Sequence, residues 1–117
     1  MKLNFNAQQE VNYEDLSLLF FNIPNEILNG FSVDRFEEQI GSTEDDFRKM
    51  AKRWRSKSNS ELPFLDIAEM KVFRNALAIT VLELGDDEFQ TRTGCDFDKG
   101  KSILHVLDRY IAACSQS

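Results

Sequence analysis

Apolar positions return along most of the chain at spacings of three and four, the period of a helix with one covered face. Leu16, Leu19, Phe20, Ile23 and Ile27 mark a first helix from about Glu14 to Asn29. Asn12 with Asp15 three residues on resembles a capping box, and Gly30 suits the position just past a helix end. Pro24 removes a backbone donor within that span, so the helix should kink or divide there. Ser42-Thr43-Glu44-Asp45 is a start signal for a second helix that carries Phe47, Met50, Ala51 and Trp54 on its apolar side. Ser56 to Ser60 reads as a polar linker. Asp66 and Glu69 open a third helix with Ile67, Met70, Phe73, Leu77, Val81 and Leu84 on one face before Gly85. The β-branched Ile79, Thr80 and Val81 leave 77–84 open to a buried strand, but the longer periodicity from Ile67 favours helix. Asp96 caps a fourth helix, with Ile103, Leu107, Tyr110, Ile111 and Cys114 facing inward.

The pattern also repeats. Sliding the chain against itself by 53 positions pairs Phe20 with Phe73, Asn22 with Asn75, Asp34 with Asp87, Phe36 with Phe89, Gly41 with Gly94 and Asp45 with Asp98, without a gap. Apolar positions follow suit, since Leu28 meets Val81, Phe31 meets Leu84, Met50 meets Ile103 and Trp54 meets Leu107. Internal similarity of this kind determines the architecture that should be sought. The expectation is one domain over residues 1–117, mostly α, built from repeats 13–55 and 66–112. Each repeat is a helix-turn-helix hairpin, giving about four main helices around a pseudo-twofold axis. The connections Phe36 to Gly41 and Phe89 to Gly94 are equal in length and end in a residue suited to unusual backbone angles. They are short enough to be extended and to pair as a minimal sheet, to which the alternating Lys2 to Asn6 would add a strand.

The stretch from Asn75-Ala76-Leu77 through Phe89-Gln90-Thr91-Arg92-Thr93-Gly94 resembles short, uncharacterised bacterial proteins. In these an Asn-Ala-Leu helix precedes a Phe-x-Thr-Arg-x-Gly turn and a closing helix. The resemblance covers roughly the second half; the first half departs from it with Glu38 and Gln39 in place of Thr91 and Arg92. It implies no activity.

Composition narrows the class. The 42% hydrophobic and 29% charged content is that of a globular protein, and ten Phe supply bulky material for a small core or an interface. No apolar run approaches the roughly 20 residues of a membrane-spanning helix, and Met1 to Ala7 lacks the apolar core of a signal peptide. A cytoplasmic protein without a membrane partner is expected. Cys95, Cys114 and the single His105 cannot assemble a four-ligand zinc cluster, and two free thiols are the simplest state. No metal or other cofactor is expected.

The charge pattern supplies the candidate chemistry. Arg48, Lys49, Lys52, Arg53, Arg55 and Lys57 surround Trp54 and hold six of the fourteen basic residues. A basic stripe with an aromatic can contact phosphates and stack a base; cations at a helix C-terminus with Trp54 on the apolar face explain the same run structurally. The net charge of −6 disfavours non-specific nucleic-acid binding. The opposite pole is Glu83, Asp86, Asp87, Glu88, Asp96 and Asp98, relieved only by Arg92. An EF-hand loop starting at Asp86 would put Thr91 where the sharp turn needs Gly, so a calcium loop is not expected. Arg92 is expected to hold the turn by pairing with Asp86, Asp87 or Asp98. Asn22 and Asn75 are expected to be buried hydrogen-bonders tying a connection to its helix.

Catalytic equipment is sparse. His105 lies in Leu104-His105-Val106-Leu107 without a nucleophile beside it, and reads as packed or half-exposed. No phosphate-loop, dinucleotide-binding, zinc-protease or nucleophile-elbow motif occurs, and no enzymatic activity is expected. The leading expectation is a protein-interaction module whose acidic face, Asp86, Asp87, Glu88, Asp96 and Asp98, meets a basic partner; an immunity or antitoxin-like inhibitor is one concrete version. The alternatives are a nucleic-acid-associated regulator using Arg48, Lys49, Lys52, Arg53, Trp54 and Arg55, and a homodimer joined through a Phe-rich face, for example Phe21 and Phe31.

Overall fold

Local capping signals set the helix starts. In the computed structural model, which describes residues 2–3, 13–56 and 65–115, the elements are β1 (Lys2–Leu3), α1 (Tyr13–Asn25), α2 (Phe36–Ile40), α3 (Glu44–Arg55), β2 (Leu65–Asp66), α4 (Ile67–Thr93) and α5 (Phe97–Ser115). Thr43 Oγ accepts from Asp46 N at 3.1 Å, Asp66 Oδ1 from Glu69 N at 2.8 Å, and Asp96 Oδ1 from Asp98 N at 2.9 Å. Each bond satisfies a donor that the first helical turn leaves open, so α3, α4 and α5 begin where the sequence places them. Asn12 and most of the 56–60 linker lie outside the described residues.

The chain is mostly helical, and 77–84 is helix. The division expected at Pro24 falls one residue later: α1 ends at Asn25 and the chain passes into a π-helical turn, Glu26–Gly30, closed by Phe31 N donating to Glu26 O. Two expectations need correction. α4 does not stop at Gly85. Gly85 breaks it with φ 67° and ψ −171°, a conformation essentially confined to glycine, and helix resumes to Thr93. The two connections are not extended: Phe36–Ile40 is α2, and Phe89–Thr93 forms the end of α4. Backbone donors committed to helix cannot form a ladder, so the connections do not pair. The short antiparallel contact instead joins Lys2 to Asp66 and Leu3 to Leu65, two residues a side. Residues 4–6 of the expected strand lie outside the described residues.

Gly41 and Gly94 occupy the left-handed region, at φ 91° and 77°, and close the preceding helices rather than introduce the next. Their N–H groups donate to Glu37 O and Gln90 O, both at 2.9 Å, as a left-handed C-terminal cap requires.

The core is aromatic at its centre. Phe20 of α1 and Phe73 of α4 stack with centroids 4.3 Å apart, and Trp54 of α3 packs edge-on against Phe73 at 5.5 Å and tilted against Phe20 at 5.7 Å. Phe47 meets Trp54 at 6.1 Å and Phe36 at 5.6 Å. Around this cluster lie Leu16, Leu19, Ile23, Ile40, Met70, Ala76, Leu77, Ile103 and Leu107, all buried. Burial of such side chains contributes about 1.5–3 kcal/mol each, so this cluster dominates the stability of the fold.

Contacts recur at the same spacing of 53 as the sequence. Asn22 Nδ2 donates to Thr93 O at 2.9 Å, and Asn75 Nδ2 donates to Ile40 O at 3.0 Å. The two donors stand 53 residues apart, as do the two acceptors, and each acceptor precedes a glycine that caps a helix end. Asparagine therefore ties a helix to the opposite connection, not to its own. The stacked Phe20 and Phe73, the caps Thr43 and Asp96, and the helix starts Glu44 and Phe97 are separated by the same interval.

Candidate functional site

The basic run lies on α3 as far as Arg55, and its three arginines are occupied. Arg48 pairs with Glu44 at 3.1 Å, one turn earlier. Arg53 pairs with Glu69 of α4 at 2.6 Å, and the same carboxylate oxygen accepts from Trp54 Nε1 at 3.4 Å. Arg55 Nε donates to Phe21 O at 3.4 Å, and its guanidinium lies 5.4 Å from the Phe21 ring centroid. Trp54 is 3% exposed and surrounded by phenylalanines, so it has no face to offer a base. That corrects the stacking role given to it in the nucleic-acid reading. Lys49 and Lys52 are exposed and form no ion pair among the described residues; Lys57 lies outside them. Glu44, Asp45 and Asp46 at the start of α3 and the cations at its end match the sign of the helix dipole.

The acidic residues divide into those the fold uses and those it does not. Asp96 caps α5, Asp98 pairs with Lys101 at 3.4 Å, and Glu88 pairs with Arg92 at 3.3 Å. Arg92 also donates to Glu26 at 3.0 Å, a carboxylate tucked under the π-helical turn with only 9% of its side chain exposed. Arg92 thus holds the turn through Glu26 and Glu88, not through Asp86, Asp87 or Asp98 as expected. Its partner Glu26 is 66 residues away, and only the tertiary fold brings them together.

Glu83, Asp86 and Asp87 are exposed, and their carboxylates take part in no ion pair or hydrogen bond among the described residues. They flank the Gly85 break. Next to Glu83 stands Leu82, 84% exposed, a residue the sequence reading did not single out. It lies outside the apolar series Phe73, Leu77, Val81 and Leu84 on α4, and that departure was the available signal. Phe21, 56% exposed, is the other large apolar side chain left open among the described residues, and Arg55 lies over it. Phe31 is half-buried.

The described residues line two surface clefts among others. One, of about 350 Å³, lies between α3 and the start of α4, where Arg53 and Glu69 already satisfy each other. The other, of about 670 Å³, runs along α5 past Lys101, His105 and Arg109. His105 is exposed there. The two cysteines are free thiols: Cys114 is half-buried, and Cys95 is buried just past the end of α4. Burial, with the nearby charges of Asp15 and Asp96, pushes the Cys95 thiol up to about 11 despite the opposing effect of Lys99. A thiol held protonated in this way is a poor nucleophile. Among the described residues no three metal-ligating side chains converge, and no helix is long and apolar enough to cross a membrane. Comparison with protein-family models, curated proteins and solved structures finds no match for the chain.

Proposed function

We propose that the protein is a non-catalytic interaction module that binds a basic partner protein through the acidic end of α4. The observation that carries this reading is the unused charge at Glu83, Asp86 and Asp87. Glu26, Glu44, Glu69, Glu88, Asp96 and Asp98 cap helices or pair with cations, while these three stand close together in the chain around Gly85, exposed without a counter-charge among the described residues. Such a patch attracts a cationic surface over a distance, speeds encounter and rejects acidic competitors. Asp86 and Asp87 carry the expected face forward, with Glu83 added; Glu88, Asp96 and Asp98 support it from structural positions. The concrete form of the reading is an inhibitor that neutralises a cationic surface, as an immunity or antitoxin protein does.

The scaffold for this module is a duplicated helical hairpin. The reciprocal Asn22–Thr93 and Asn75–Ile40 bonds support a pseudo-twofold relation, because the two bonds exchange when each residue number is shifted by 53. The self-stacking of Phe20 on Phe73 lies where such an axis would pass.

The test is affinity capture with the full-length protein, with and without nuclease, using wild type and an Asp86→Lys/Asp87→Lys variant as baits. A basic protein retained in stoichiometric amount after nuclease, and lost with the variant, is the expected result. Equal retention by the variant overturns the reading. Material lost on nuclease treatment points to Lys49 and Lys52 and a nucleic acid. Recovery of a second copy alone points to a homodimer.

A further inference from the structure

We infer that residues 86–93 form a strap, hinged at Gly85 and Gly94 and clasped by Arg92 to Glu26, which opens while the rest of the fold stays intact. The stretch is helical, but its position is not set by helix continuing from α4. Gly85 interrupts the backbone on one side at φ 67° and Gly94 on the other at φ 77°. A Cβ at Gly85 would meet nothing within 4 Å, so its backbone angles and not its packing call for glycine. Between the two hinges Phe89 and Thr93 are buried and every other residue is exposed. Before the break, α4 buries Met70, Val72, Phe73, Ala76, Leu77 and Thr80. Local stability follows the buried contacts that a segment makes, which puts the strap at the low end of the molecule.

A few named contacts close it. Phe89 packs edge-on against Phe97 at 5.7 Å and occupies the space that a side chain at Gly100 would need. Asn22 Nδ2 donates to Thr93 O at 2.9 Å. Arg92 reaches Glu26 at 3.0 Å, and Glu88 within the strap at 3.3 Å. Glu26 is the decisive group. Its side chain is 9% exposed, and a Cβ at Gly30 of the same π-helical turn would collide with its carboxylate. A charge so enclosed is costly without its counter-charge, which draws Arg92 and the strap back after each opening. The first half has no such clasp. Fifty-three residues earlier, Ser32 stands for Gly85 and Gln39 for Arg92; fifty-three later, Ile79 stands for Glu26. Hinge and clasp therefore belong to the half that carries Asp86, Asp87 and Glu88, and closure fixes where those three residues stand. Opening needs no partner, so the strap goes beyond the acidic-face reading and does not depend on it.

The experiment is residue-resolved amide hydrogen exchange on the full-length protein, without urea and at low urea concentrations. Gly94 N donates to Gln90 O, so the amides of residues 90–94 report the strap, while those of residues 73–77 report α4. In the unmodified chain the strap amides should exchange faster, at a rate that low urea leaves unchanged. The α4 amides should accelerate with urea, as global unfolding requires. Arg92→Met should speed strap exchange about tenfold or more, and Glu26→Gln should act in the same direction. Phe47→Leu, in the core of the first half, should speed the α4 amides and leave the strap rate unchanged. A strap rate that rises with urea along the α4 slope, or that Phe47→Leu raises, overturns the inference, because the strap then opens only with the whole fold. A strap rate indifferent to both Arg92→Met and Glu26→Gln overturns it as well, because the clasp then holds nothing. Neither result depends on whether Asp86→Lys/Asp87→Lys abolishes partner capture, so the strap and the acidic face fail separately.

Discussion

Two charged regions look alike as sequence and differ as structure. The basic run on α3 and the acidic run around Gly85 each concentrate one sign of charge within about ten residues. On α3 the fold has used most of what the sequence offers: Arg48, Arg53 and Arg55 have partners, and Trp54 belongs to the core. At the end of α4 it has used Glu88 and left Glu83, Asp86 and Asp87 open. A charge run is a candidate site only for the part that remains after internal pairing is subtracted. Exposed pairs contribute little stability each, near 0–1 kcal/mol, but they do occupy the groups a partner would need.

The sharpest break between the regions comes from Trp54. Replacing it with Ala empties a site lined by Phe20, Phe47 and Phe73, and should cost about 3–5 kcal/mol in urea unfolding. A tryptophan serving a base-stacking surface would give a change near zero. Glu69→Ala should cost about 1 kcal/mol, because it frees Arg53 and leaves Trp54 Nε1 without its acceptor. Just past the acidic end, Cys95 is a further ionisable group that the fold uses, and its effect is confined to high pH. Cys95 is raised from its usual value near 9.0 to about 11, so its protonated form is favoured by folding. Its contribution is fully present below pH 9 and is lost as pH rises through about 11, because the unfolded thiol ionises first. Stability curves of wild type and Cys95→Ala, compared between pH 8 and pH 11.5, should converge over that window; parallel curves would remove the role assigned to burial.

Much of the fold was legible because the signals are local. Thr43, Asp66 and Asp96 act within three residues of themselves, and the apolar period of α1, α3, α4 and α5 follows from the chain alone. The connections were misread although a local signal existed. Phe36 with Ile40, and Phe89 with Thr93, are spaced by four before a glycine, which is the pattern of a helix end. Gly85 was read as a stop because a glycine in the left-handed half of conformational space ends most helices; whether the chain turns helical again depends on Phe89 and Thr93 finding the core. The partners of Arg92, Asn22 and Asn75 lie 66, 71 and 35 residues away, and no local pattern identifies them. The same limit hid the candidate face: the acidic run was visible, but which carboxylates stay free was decided by Arg92 and Lys101.

The contrast between the two regions reduces to one titration. The captured partner is measured against wild type, Asp86→Lys/Asp87→Lys and Lys49→Glu/Lys52→Glu at two salt concentrations, with each variant's unfolding curve alongside. The acidic-face variant should lose about tenfold or more in affinity and show a flatter salt dependence, while the α3 variant binds as wild type and both stay folded. Loss of binding by the α3 variant, with the acidic-face variant unaffected, would contradict the assignment and return the function to the basic helix.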